Sequence, residues 1–251
     1  MRYITASLRA LLLMATALLL VSCGDNKANS VISQLSGETM GTFWHVRLAA
    51  PLDAPAQAAL QRRIDVALEA VNDSMSTYRD QSELMRFNHS TATTPQPVSD
   101  GMRRVVGKAL EISAQSDGVY DITVGPLVNL WGFGPIKRQD KPADSEIAEA
   151  LQHVGYGKLQ LTDAGLAKSD PQVFIDLSSI AKGYGVDVVA ETLLDAGYTN
   201  FIVEIGGEVR ASGSKYGAPW RVGIERPEQG LATGEGVENI IAMNEKLPAM
   251  A

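Results

Sequence analysis

Apolar and polar positions alternate over residues 37–48. Phe43, His45 and Arg47 fall on one side and Trp44, Val46 and Leu48 on the other, the period of a half-buried strand. Met40-Gly41-Thr42 interrupts that run with a small, permissive spot where a ligand could approach the backbone. The period then changes. Leu60, Ile64, Ala67, Leu68, Val71 and Met75 recur at helical spacing and predict a long amphipathic helix that ends near Ser76-Thr77-Tyr78-Arg79. Ser82 and Ser99 each precede a helical pattern and read as N-caps, the second helix burying Met102, Val105, Val106, Ala109 and Leu110.

From Asp117-Gly118 the pattern predicts a turn, a short extended segment and a break at Gly125-Pro126. Residues 127–135, which include Trp131 and Phe133, are apolar, aromatic and glycine-rich at once; such a loop either packs across a core or walls a pocket for a flat ligand. Asp144 reads as the cap of a helix running through Val154, and residues 159–161 and 173–175 as a strand pair around Asp163-Ala164-Gly165. Ala181, Gly185, Val188, Val189, Thr192, Leu193 and Ala196 form the next helical stripe, closed by Gly197. Residues 201–205, 209–213, 220–225 and 239–243 predict a β-meander, after which residues 245–251 offer no evident closing element. Helices and meandering strands without βαβ alternation point to an α+β domain with antiparallel sheets and packed helices.

Composition narrows the class. The 251 residues are 45% hydrophobic and 20% charged, as in globular domains, and the net charge of −7 carries no basic cluster, which argues against a nucleic-acid partner. Arg2 and Arg9 precede an apolar run, residues 10–20, that is short for a membrane span but suited to a signal peptide. It ends in Leu20-Val21-Ser22-Cys23-Gly24, which resembles a bacterial lipoprotein processing site. The expectation is a signal peptide over 1–22, lipidation of Cys23, a tether over 23–34 and a folded domain over 35–251. Cys23 is the only cysteine, so no disulfide forms within the chain, and His45, His89 and His153 lack metal-ligand spacing.

The stretch Phe174-Ile175-Asp176-Leu177-Ser178-Ser179-Ile180-Ala181-Lys182-Gly183-Tyr184 concentrates the candidate chemistry. It reads as a buried strand ending in an acid, two hydroxyls, and a helix start that contains a lysine. Free N–H groups and the helix dipole suit such a start to an anion such as phosphate, with Ser178 or Ser179 capping or binding an oxygen; an ordinary capped helix is the other reading. Dinucleotide-binding, P-loop and nucleophile-elbow motifs do not occur.

Seven stretches, in order, resemble one family: Thr39-Met40-Gly41-Thr42, Met75-Ser76-Thr77-Tyr78, residues 82–88, residues 120–127, Trp131-Gly132-Phe133-Gly134, residues 176–184 and Gly206-Gly207-Glu208. They are similar to the FAD:protein FMN transferases of the ApbE family, which implies an ApbE-like (T-fold-like) α+β domain. The resemblance further implies an enzyme that moves FMN from FAD to a threonine or serine hydroxyl of an acceptor protein, releasing AMP with the help of Mg2+. The implied acceptors are flavoprotein subunits of membrane redox complexes, reached from a lipid anchor that faces the periplasm. Met40, Tyr78, Val119, Tyr120, Asp121, Asp176, Ser178 and Tyr184 match positions that contact FAD, with Asp176 or Asp121 on a polar edge of the nucleotide. Lys182 would favour phosphate oxygens, and Ala181 would give magnesium its backbone carbonyl.

The family continues into a His-x-Ile-Asp-Pro-x-Thr-Gly stretch and an Asp-Ala-x-x-Thr-Ala-Leu stretch that supplies further magnesium ligands, and neither occurs in this sequence. The expectation is therefore a chain incomplete at the C-terminus, with strand edges left open and weakened magnesium binding. An FAD-binding or FAD-hydrolysing lipoprotein without transfer activity, or an inactive fragment, is the alternative.

Overall fold

The computed structural model describes residues 30–226, 236–243 and 246–250. The signal peptide, Cys23 and most of the expected tether lie outside the described residues. The described residues from Ile32 onward cluster as one compact unit.

The alternating run folds as a hairpin rather than one interrupted strand. β1 (Ser33–Thr39) pairs antiparallel with β2 (Thr42–Leu48), and Thr39 faces Thr42 across the closing pair. Met40 and Gly41 both take positive φ, 50° and 74°, as a two-residue turn matched to strand twist requires. β2 pairs next with β5 (Phe201–Ile205), β5 with β6 (Glu208–Ser212), and β6 with β9 (Ala249–Met250), giving the sheet order β1-β2-β5-β6-β9. The short β9 is a closing element where none was expected, pairing Met250 with Val209 and Ala249 with Arg210.

One face of this sheet is apolar. Trp44, Val46, Leu48, Phe201, Val203 and Ile205 pack against Leu60, Ile64 and Leu68 of α1 (Ala54–Met75) and Val186, Val189, Ala190 and Leu193 of α6 (Ala181–Asp195). Burial of each large side chain contributes about 1.5–3 kcal/mol. A second core lies beyond α1. It joins Val71 and Met75 to α2 (Glu83–His89), α3 (Asp100–Gln115), Ile122, Leu166, Val173, Ile175 and Leu177. Met40 packs against both cores. Ser82 and Ser99 cap their helices as expected, accepting from the N–H groups of Met85 and Met102, and Asp53 caps α1 by accepting from the Ala56 N–H.

Four local expectations change. Residues 122–124 form a 3-10 turn that runs into α4 (Gly125–Leu130), because Asp121 caps it and Pro126 suits a first helical turn. α5 (Asp144–Leu151) starts from Ala143, whose N–H is bonded by the Glu146 carboxylate, and it stops before Val154. β3 (Leu159–Thr162) pairs with β4 (Gly165–Lys168), not with residues 173–175, which are buried but belong to no strand. α6 is preceded by Ile180 without any side-chain cap, so neither Ser178 nor Ser179 caps it. A separate hairpin, β7 (Trp220–Glu225) with β8 (Val237–Met243), packs Trp220 and Met243 onto Val209 of the main sheet.

Candidate functional site

The two hairpin turns of the sheet converge on the start of α6. Gly206 (φ 55°) and Gly207 (φ 103°) form the β5–β6 turn, and a Cβ at position 206 would sit 2.8 Å from Thr42 Cγ2. Gly185 on α6 leaves room for the Met40 turn, since a Cβ there would lie 2.9 Å from Met40 Cε. Between the Met40 turn, the last turn of α1 and the first turn of α6 opens a cavity of about 240 Å³. It is lined by Met40, Asn72, Ser76, Thr77, Tyr78, Ser178, Ala181 and Lys182, among others. A wider cleft of about 960 Å³ continues from it through Met40, Asn72, Ser76 and Tyr78, adding Glu38, Phe43, Glu69 and Arg79. Cofactor pockets commonly occupy about 300–1,000 Å³.

Polar groups fix the walls. Asn72 Nδ2 donates to Thr39 Oγ1 at 3.1 Å, tying α1 to the end of β1. The Tyr78 hydroxyl donates to the Phe133 carbonyl at 3.2 Å, so the aromatic glycine-rich segment is tied to a residue that lines the cleft. The rings of Tyr78 and Phe133 are exposed. Of the two readings open for that segment, the pocket wall is the one the Tyr78 contact supports.

Lys182 is not free. Its ammonium lies 2.8 Å from Glu208 Oε1 and donates to the Gly206 carbonyl at 3.2 Å. Arg79 is held by Glu69 and Asp73 at 2.7 and 2.6 Å, which raises its pKa and lowers that of Glu69. Ser178 is positioned by an Asx turn in which its N–H donates to Asp176 Oδ1 at 2.7 Å. The Asp176 N–H donates to the Ile122 carbonyl at 2.8 Å.

Met40, Tyr78, Ser178, Ala181 and Lys182 therefore line one cavity, as the sequence reading grouped them. Tyr120 adjoins them, its hydroxyl 3.0 Å from Ser179 Oγ, and Val119 is 91% exposed beside it. Two placements differ from expectation. Asp121 spends its carboxylate on the fold: Oδ1 accepts from the Thr123 N–H and hydroxyl, and Oδ2 from the Tyr156 N–H. Tyr184 points into another groove, against Gly101 of α3, because two helical residues separate its direction from that of Lys182. Sequence reasoning missed Asn72, Thr39 and Arg79 as wall residues and Glu208 as the partner of Lys182. Asn72, a polar residue directly after Val71 on the buried stripe, was the available signal.

Among the described residues no three His, Cys, Asp or Glu side chains converge to hold a metal. The Ala181 carbonyl belongs to the first turn of α6, and Glu208 is engaged by Lys182. The residues described here do not by themselves compose a magnesium site.

The ApbE family profile matches residues 40–251. The chain belongs to the ApbE family. It is 45% identical over 219 residues to the FAD:protein FMN transferase of Vibrio cholerae, covering 86% of this chain and 65% of that one. To the FAD:protein FMN transferase of Haemophilus influenzae it is 45% identical over 242 residues, covering 92% and 67%. The structure superposes on the flavin transferase ApbE from Vibrio cholerae with a TM-score of 0.74 at 45% identity, over 78% of this chain and 65% of that chain. On the ApbE protein from Thermotoga maritima the TM-score is 0.73 at 27% identity, over 85% and 68%. The chain thus spans about two thirds of the length of these ApbE relatives. The α+β architecture is that of the family.

Proposed function

We propose that the protein is a flavin transferase that takes FMN from FAD and attaches it to a hydroxyl of an acceptor protein. The observation that carries this reading is the cavity where Met40, Tyr78, Ser178, Ala181 and Lys182 meet, in a chain 45% identical to FAD:protein FMN transferases. The exposed Tyr78 ring offers a face to a flat heterocycle, and the first turn of α6 offers N–H groups to a diphosphate.

In the proposed reaction a threonine or serine hydroxyl oxygen of the acceptor attacks the phosphorus on the FMN side of the FAD diphosphate. The new P–O bond makes the phosphoester, the P–O bond to the adenylate breaks, and AMP leaves with the displaced oxygen; the hydroxyl proton is released. Magnesium belongs to this reading as the counter-charge that phosphoryl transfer requires. This chain's residues bind and orient: the Tyr78 side of the cleft holds the ring, and the Ser178 wall and Lys182 hold the phosphate end.

The Leu20-Val21-Ser22-Cys23-Gly24 sequence supports a bacterial lipoprotein anchored through Cys23; a periplasmic position and acceptors among the subunits of membrane redox complexes rest on the family resemblance alone. Binding or hydrolysis of FAD without transfer is the second reading, favoured by the lack of a carboxylate cluster among the described residues.

The test mixes the purified chain, FAD, magnesium and an acceptor with an Asp-Gly-x-Thr-x-Ala-Thr-like segment. Flavin fluorescence on the acceptor band after denaturing electrophoresis, with AMP released in step, is the expected result. AMP without labelled acceptor would replace transfer by hydrolysis.

A further inference from the structure

Both basic side chains that line the two cavities are already matched by carboxylates: Lys182 by Glu208, and Arg79 by Glu69 and Asp73. The Lys182–Glu208 pair differs from the other in its setting. Its side chains are only 32% and 19% exposed, and Glu208 Oε2 is sealed from solvent without a hydrogen-bond partner. Glu208 opens β6 opposite Ile205, directly after the Gly206-Gly207 turn, so its backbone is set by the hairpin rather than by a ligand. The other charged groups near Glu208, in the adjoining crevice, are Asp187 and Arg210, and Arg210 is itself held by Asp187 and Glu191 at 2.9 Å each. Among the described residues no second cation is placed to replace Lys182 on Glu208.

We propose that Glu208 is an internal anion that competes with a ligand's phosphate for the Lys182 ammonium, and so sets how strongly the site prefers phosphate-bearing flavins over uncharged ones. The inference deepens the flavin-nucleotide reading and rests on it. With Glu208 ionised the cavity offers no uncompensated positive charge, and a phosphate gains Lys182 only by leaving a half-buried carboxylate without its partner. Removing that charge while keeping the shape releases the ammonium. Riboflavin, which lacks phosphate, is indifferent to the exchange.

The experiment titrates the full chain in EDTA-containing buffer with FAD, riboflavin and inorganic pyrophosphate, following flavin fluorescence and titration heat. Glu208→Gln is expected to bind FAD and pyrophosphate about five- to tenfold tighter than the unsubstituted chain, with riboflavin unchanged. Glu208→Ser, which also removes the charge, must move in the same direction. In a Lys182→Met background the gain must vanish. If neither Glu208 variant binds the phosphate ligands more tightly, or if the gain persists without Lys182, the competition is wrong. A gain for pyrophosphate with no binding of either flavin would uphold the competition and overturn the flavin reading instead.

Discussion

Asn88 and Ile175 exchange two hydrogen bonds: the Ile175 N–H donates to Asn88 Oδ1 at 2.8 Å, and Asn88 Nδ2 donates to the Ile175 carbonyl at 2.9 Å. A side-chain amide on α2 thus does for residues 173–175 what a neighbouring strand would do. The segment stays extended inside the core and leads into Asp176, whose carboxylate holds the N–H of Ser178 on the cavity wall. Asn88→Ala leaves a buried N–H and a buried C=O unpaired, at about 1–3 kcal/mol each. The expected loss is roughly 2–4 kcal/mol in urea unfolding, together with weaker FAD binding because the Ser178 wall loosens. An unchanged denaturation midpoint would remove Asn88 from this role.

Lys168 is wholly buried, yet among the described residues no carboxylate forms an ion pair with it. Its ammonium donates to the carbonyls of Asn88 and Val173 at 2.9 and 3.1 Å and lies 5.3 Å from the centre of the Phe87 ring. The Asn88 carbonyl belongs to the last turn of α2, where a cation is favoured. Desolvation still lowers the Lys168 pKa from 10.5. The folded chain therefore releases this proton more readily than the unfolded chain. Between the lowered pKa and 10.5 the unfolded state binds more protons, so this group makes stability rise with pH. Urea unfolding between pH 8 and pH 10.5 should show that rise in the unsubstituted chain relative to Lys168→Met. Parallel curves for the two would refute it.

The same two residues explain what was hidden in the sequence. The Ser82 and Ser99 caps, the α1 stripe and the β5–β6 hairpin depend on neighbours a few positions away, and periodicity exposes them. The partner of 173–175 is a side chain on a distant helix, which no local pattern encodes. β4 escaped because Lys168, a residue type usually solvated, occupies a core position at its end and breaks the apolar period. At the site, the Met40, Tyr78 and Lys182 positions were legible as parts of motifs. The Glu208 contact was not, because a charge on a helix shows its counter-charge only once the sheet lies beside it.

Asp170 is the acidic counterpart. It accepts from His153 at 2.8 Å, from the Gln172 N–H at 2.9 Å and from Lys158 at 3.2 Å, and the His153 bond foremost holds its pKa down to about 2 from 3.8. A depressed carboxylate pKa contributes stability that is present in full above the unfolded value and lost as pH falls through the folded one. The difference in melting temperature between the unsubstituted chain and Asp170→Asn should therefore shrink progressively as pH falls below about 5 and vanish only near pH 1, below both pKa values. A difference that persists undiminished at about pH 1 would place the effect of the substitution in packing rather than charge.

Gly185 joins stability to the site. Alanine there would gain about 1 kcal/mol of helix propensity. Its Cβ, however, would meet Met40 Cε at 2.9 Å and Ile205 Cδ1 at 3.3 Å. Ile205 is fixed in the sheet core, so Met40 must give way, and Met40 lines both cavities from a turn with φ of 50°. Gly185→Ala is expected to weaken FAD binding about tenfold while changing stability by less than about 2 kcal/mol, since overpacking costs about 1–3 kcal/mol against the helical gain. Shortening the obstructing side chain should relieve the clash. In a Met40→Ala background, Gly185→Ala should have little further effect on binding, a non-additivity of the size that touching residues show. Independent, additive losses would mean that Gly185 and Met40 do not share the cavity wall in solution.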